Sequence, residues 1–135
     1  MLTKKVSKIM KNKIKNKKIT VLGVTFKANT DDMRESSSLV LIPYLIKKGG
    51  VVKYHDPSGP KKEFKNVKNL YFESNLSKAC YNADLIIINT EWDEFKSIDF
   101  KKLVKKNNFI IFDMRNLYNP SELKKRKIKY FSVGR

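Results

Sequence analysis

Two cations seven residues apart, Lys27 and Arg34, stand in the stretch Gly23-Val-Thr-Phe-Lys-Ala-Asn-Thr-Asp-Asp-Met-Arg-Glu-Ser36. Lysine offers a point charge suited to a phosphate or a sugar hydroxyl. Arginine offers a planar fork suited to a phosphate or carboxylate. The same stretch carries Asp31, Asp32 and Glu35, so a solvated charge cluster reads equally well from bare chemistry. It lacks the three glycines of a dinucleotide fingerprint and the G-x-x-x-x-G-K-[ST] of a phosphate-binding loop. Asp56, in Tyr-His-Asp-Pro57, stands where dinucleotide folds place a ribose-binding acid. It lies 33 residues past Gly23 instead of about 20, which favours a turn-forming role. His55, the only histidine, reads as a surface residue with no second ligand for a metal. Trp92 and Phe95 flank Asp93 and Glu94, where a lid, a domain contact or simple core closure would fit. Cys80, in Leu-Ser-Lys-Ala-Cys80, reads as a small buried thiol of a scaffold helix.

These residues need elements to hold them. Ile19–Leu22, Val51–His55, Leu70–Phe72, Asp84–Asn89, Phe109–Phe112 and Ile128–Val133 are short apolar or β-branched runs, the pattern of buried strands. Between them, helices are predicted over Leu39–Lys48, Asn75–Asn82, Ile98–Lys106 and Pro120–Lys127. The hydroxyls of Ser36, Ser37 and Ser38 supply caps for the first, Gly49-Gly50 its stop, and Pro43 a bend within it. Strands alternating with helices imply right-handed crossovers. The expected fold is α/β, a doubly wound, mainly parallel six-stranded sheet, Rossmann-like. Ligands on such sheets sit beyond the carboxyl ends of the strands, which singles out residues 23–34, 56–60, 90–95 and 113–116. A receiver-type regulator would want an acidic pair directly after the first strand, where Gly23-Val24 stands instead. Ahead of the sheet, Val6, Ile9, Met10 and Ile14 recur at helical spacing. Thr3–Asn16 is therefore expected as one basic amphipathic helix capped by Thr3, with its apolar face awaiting a partner. The expected division is a basic connector over residues 1–17 and a binding domain over 18–135.

Of the 30 basic residues 26 are lysine, against 13 acids, giving a net charge of +17. Abundant lysine, asparagine and isoleucine fit an AT-rich gene acting on tolerant surface positions. The charge still favours acidic ligands of any kind. One cysteine excludes a disulfide framework. The longest apolar stretch, Leu39–Ile46, is far short of a membrane span, and no secretory signal is visible. The chain is thus expected to be cytoplasmic, with no specific nucleic acid as partner. The alternative class is a non-enzymatic adaptor that lays the lysine-rich N-terminal helix on RNA or a membrane surface.

Four stretches in order carry a resemblance: Gly23–Ser36, Tyr54–Pro57, Ala83-Asp84 with Thr-Glu-Trp-Asp-Glu-Phe95, and Asp-Met-Arg-Asn116. The first resembles the G-x-x-F-K-x-x-T-D-D-x-R-x-S signature that opens the C-terminal domain of the UDP-glucose/GDP-mannose dehydrogenase family. The wording of Thr90–Phe95 looks most like the UDP-glucose branch. The resemblance implies two-step, NAD-dependent oxidation of a UDP-sugar's C6 alcohol to a carboxylate through a thioester on a cysteine. It implies that Lys27 contacts the substrate, with Phe26 beside it through its backbone. It further implies that Arg34 reaches the NAD, and that Arg115 contacts the substrate's charged end. It also implies a chain roughly three times as long, in which the NAD domain and the nucleophilic cysteine lie outside these residues. It implies a homodimer in the intact family. On this reading the chain binds a UDP-sugar weakly alone, does not catalyse alone, and pairs with a separate N-terminal dehydrogenase half.

Overall fold

A computed structural model describes residues 2–134. The sheet is built from β1 (Lys18–Leu22), β2 (Val51–His55), β3 (Leu70–Phe72), β4 (Leu85–Ile88), β5 (Ile110–Asp113) and β6 (Lys129–Ser132). Its order is β3-β2-β1-β4-β5-β6, with every pair parallel. The order reverses between β1 and β4. At that point the chain leaves the two central strands in opposite directions, and a crevice opens at their carboxyl ends.

The central strands are apolar on both faces because both are covered. Leu85, Ile86, Ile87 and Ile88 are all fully buried. On the first face α1 (Leu2–Ile9) and α2 (Ser38–Lys47) close over Ile19, Val21, Val52, Leu85 and Ile87. On the second, α3 (Leu76–Cys80), α4 (Phe100–Val104) and α5 (Pro120–Lys125) bring Cys80, Phe100, Val104 and Leu123, with Ala83 beyond α3, against Ile86, Ile88 and Ile111. Thr20, facing the second side in β1, donates its hydroxyl to the Ala79 carbonyl at 2.5 Å, so its burial leaves no polar atom unpaired.

Several elements depart from expectation. The N-terminal helix ends at Ile9, because Lys11, Asn12 and Asn16 take positive φ, and Thr3 lies inside it instead of capping it. Its apolar face awaits nothing. Val6, Met10 and Ile14 are 0%, 8% and 3% exposed and join the first core, each such burial contributing about 1.5–3 kcal/mol. Helix α2 starts at Ser38 with no side-chain cap, since the hydroxyl of the N-cap residue Ser37 donates to Asn89 instead, while Ser36 and Ser38 both donate to the Val24 carbonyl, at 2.5 and 2.6 Å. Pro43 lies inside this helix on its exposed side. The helices after β3 and β4 are shorter than predicted, started by Asn75 and Asp99 accepting from the amides of Lys78 and Lys102. Among the described residues no helix is long and apolar enough to cross a membrane.

Candidate functional site

The loop after β1 is folded by groups that belong to other strands. Asp56, at the end of β2 and 2% exposed, accepts from the amides of Val24 (2.7 Å) and Thr25 (3.3 Å) through one oxygen. Through the other it accepts from the amide and hydroxyl of Ser58. It makes the expected turn and also clamps the β1 loop, so no oxygen is left for a ribose. Gly23 has φ +78°, and a Cβ there would sit 2.5 Å from Cβ of Thr90. Only glycine lets the β1 and β4 loops approach this closely. Thr90 in turn donates to the Thr25 carbonyl at 2.7 Å.

From this base Phe26 and Lys27 project outward. Phe26 is 40% exposed, and the Lys27 ammonium lies 5.8 Å from its ring centroid. The Phe26 peptide is a junction. Its amide donates to the Asp32 carbonyl at 2.9 Å, and its own carbonyl accepts from the Arg115 guanidinium at 3.4 Å. Arg115 also donates to the Asn89 carbonyl at 2.8 Å, which ties the β5 loop to the end of β4. The fold thus brings Phe26, Lys27 and Arg115 together at the β1/β4 switch point. Arg34 joins them through Asp32, whose two oxygens accept from the guanidinium at 3.0 Å each. That guanidinium holds the Asp32 carboxyl well down, at about 2. The Arg34 side chain is 89% exposed, so both sequence readings meet in it, an ion pair within the loop and a cation open to an outside ligand.

Arg115 is placed by a residue the sequence did not single out by role. Asp113, fully buried, accepts from the amides of Arg115 (3.0 Å), Leu117 (2.6 Å) and Tyr118 (3.0 Å), and from the Tyr130 hydroxyl at 2.6 Å. Asn89 was missed, and Thr90 was named only as part of the 90–95 loop and its motif, without a role. Their signal was the change from a continuous apolar strand to two polar residues at its carboxyl end. Ser37 donates to Asn89 Oδ1 at 2.7 Å, joining α2 to the same junction.

The other candidates are structural. His55 is not on the surface. It is 9% exposed, its Nδ1 lies 2.8 Å from the Glu73 carbonyl, and its ring meets Phe95 edge-on. Its burial comes from the single 3-10 turn Asp93–Phe95, which folds back over the end of β2. Trp92 and Phe95, 7% and 0% exposed, close the second core. Cys80 is fully buried, and burial pushes its thiol up to about 12, far from a reactive thiolate. Among the described residues no group of three His, Cys, Asp or Glu is placed to hold a metal ion.

The crevice does not fit a dinucleotide as its own ligand. Glycine meets threonine at its base, and its acid is saturated by internal donors. What remains is an open shelf of three cations and one aromatic ring, suited to the phosphates and the planar or sugar groups of a ligand pressed onto it from outside.

The sequence model of the UDP-glucose/GDP-mannose dehydrogenase family, UDP binding domain, matches residues 20–120. The chain is 39% identical to UDP-glucose 6-dehydrogenase of Rickettsia bellii over 140 aligned residues, covering 99% of this chain and 32% of that protein. Its similarity to UDP-glucose 6-dehydrogenase of Gallus gallus is 34% over 78% of this chain and 24% of that one. Among solved structures, NDP-N-acetyl-D-galactosaminuronic acid dehydrogenase from Methanosarcina mazei superposes with TM-score 0.81 and 28% identity. That match covers 99% of this chain and 28% of the other. The chain therefore spans between about a quarter and a third of the length of these relatives.

Proposed function

The chain belongs to the UDP-glucose/GDP-mannose dehydrogenase family, as its C-terminal UDP-binding domain, and we propose that it holds the sugar nucleotide for a UDP-glucose 6-dehydrogenase. The observation that carries the reading is the Phe26 junction. One peptide group brings Lys27 and Arg115 to the switch point and, through Asp32, links Arg34 to them. In this reading Lys27 and Arg115 neutralise the diphosphate and the charged end of the UDP-sugar, and Phe26 lines its contact. Arg34 faces NAD bound by another domain, since the crevice of this chain does not fit that cofactor. Residues 18–135 form the binding unit and residues 1–17 the connection to the rest of the enzyme. The NAD site and the nucleophilic cysteine come from an N-terminal half, in a homodimeric, cytoplasmic enzyme that oxidises UDP-glucose to UDP-glucuronate for polysaccharide synthesis. The net charge of +17 draws such anions in.

The test is a calorimetric titration of UDP-glucose into the chain at moderate salt. Saturable binding is expected, weaker by about tenfold or more in Lys27→Ala and in Arg115→Ala, because each removes a charge-assisted contact of about 1.5–3 kcal/mol. Binding that ignores both substitutions would defeat the assignment of the shelf. NADH formation from UDP-glucose and NAD by the pure chain would defeat the need for a second half.

A further inference from the structure

The second face of the sheet is covered unevenly. Helices α3 and α4 lie over its centre, but beyond α3 the faces of β2 and β3 stay open. Lys53, in the middle of β2, is half-buried, and Tyr71, in the middle of β3, is 55% exposed. A lysine at mid-strand is out of place in a parallel sheet covered on both sides, and it marks the open part. Two adjoining cavities, about 490 and 310 Å³, meet along Lys53 and Tyr81. Lys78, Lys102 and Lys105 close the larger one, and Tyr71 stands in the smaller.

The chemistry of this groove is one-sided. Lys53 donates to the Lys78 carbonyl at 3.2 Å, which fixes its position without neutralising it. The ammonium groups of Lys78, Lys102 and Lys105 make no hydrogen bond or ion pair among the described residues. The one carboxylate in the lining, Glu73, accepts from the Asn75 amide through one oxygen, which leaves four lysines against one acid around the hollow. Tyr81, 57% exposed, presents an aromatic ring at the seam, where a planar group would find a stacking surface. Cations from β2, α3 and α4 around one hollow favour a multiply charged anion. The size of the hollow favours a small molecule over a track for a long strand.

We propose that this groove binds a nucleoside polyphosphate, its base stacked on Tyr81 and its phosphates held by Lys78, Lys102 and Lys105. The groove opens at the amino ends of β1 and β2, where Lys18, Val51 and Ala83 line it. The Phe26 shelf lies beyond the carboxyl end of the same strand β1, so the two sites can be filled independently.

The probe is ATP, titrated into the 135-residue chain at physiological salt and followed by calorimetry and by amide shifts. Saturable binding is expected, with shifts clustered on α3, α4 and β3. The double variant Lys102→Ala/Lys105→Ala should weaken it about tenfold or more, and Tyr81→Ala about fivefold or more. Lys27→Ala should leave it unchanged. All four residues are exposed, so the variants keep the fold. The proposal is overturned if ATP does not saturate, or if its binding survives the double variant or falls with Lys27→Ala. It is equally overturned if inorganic triphosphate binds as tightly as ATP, which would remove the stacked base. Far tighter binding of a single-stranded oligonucleotide through the same lysines would reassign the surface to RNA.

Discussion

The Phe26 shelf and the Lys53–Tyr81 groove are both basic and both carry exposed aromatic rings, yet they are built in opposite ways. At the shelf, Arg115 is anchored by two carbonyls, Arg34 by a bidentate carboxylate, and the loops beneath them by two buried aspartates. In the groove three lysines stand without partners among the described residues, on helices whose polar contacts are mostly their own. In a chain with 26 lysines, charge alone distinguishes nothing. What distinguishes the shelf is the number of buried groups committed to fixing a few cations in place. Such fixing costs nothing at the moment of binding and gives a defined geometry. Free lysines give attraction with little geometry, and suit a ligand recognised by charge and one flat ring.

The largest effect should come from Asp113→Ala. It takes the acceptor from three backbone amides and removes one of the Tyr130 hydroxyl's bonds, and unfolding by denaturant should show a loss of roughly 3–5 kcal/mol. A loss below about 1 kcal/mol would break the comparison, since the shelf would then not depend on its buried acid. Gly23→Ala comes next. The positive φ and the 2.5 Å approach to Thr90 should cost about 2–4 kcal/mol and weaken UDP-glucose binding as the β1 loop shifts. The smallest effect concerns Arg34. Asp32 titrates near 2 in place of 3.8, so the ion pair persists above the ordinary value and is lost only as pH falls through the lower one. A carboxyl titration followed by NMR should show Asp32 raised toward its ordinary range in Arg34→Ala, and stopping short of it because the backbone amide at position 34 still donates. Stability should barely change, because the pair is open to solvent.

The strands were legible because their central members are unbroken apolar runs, and the parallel sheet followed from the alternation of elements; the strand order, and with it the switch point, came from the structure. The family followed from four short motifs in order. The residues of the shelf were named by those motifs, but their geometry was not, because it depends on partners far along the chain. Asp113 needs Tyr130 from β6, Phe26 needs Arg115 from the β5 loop, and Gly23 needs Thr90. His55 was misplaced for the same reason, since the Glu73 carbonyl and the Phe95 ring that bury it are invisible in its neighbourhood. The N-terminal periodicity chose the right buried residues and the right kind of element but the wrong length. Val6, Met10 and Ile14 share a face of the core, although the helix stops at Ile9 and positive-φ residues carry the chain onward.

The position of β1 in the middle of the sheet sets a schedule for synthesis. Its outer neighbour β2 follows within one short crossover, but its inner neighbour β4 begins only at Leu85. A chain emerging at about 5–20 residues per second leaves one edge of this central strand open for several seconds. During that interval the half made of β1, β2 and β3 presents an unpaired parallel edge with no residue yet made to cover it, the condition in which strands find wrong partners. Helices α1 and α2, both complete before β2, already shelter one face of β1 in that half. The opposite face stays bare until α3 arrives, and with it the first contacts of the second core. The hazard of misassembly is therefore greatest between the release of β2 and that of β4, and a nascent chain stalled in that window should be the form most prone to aggregate.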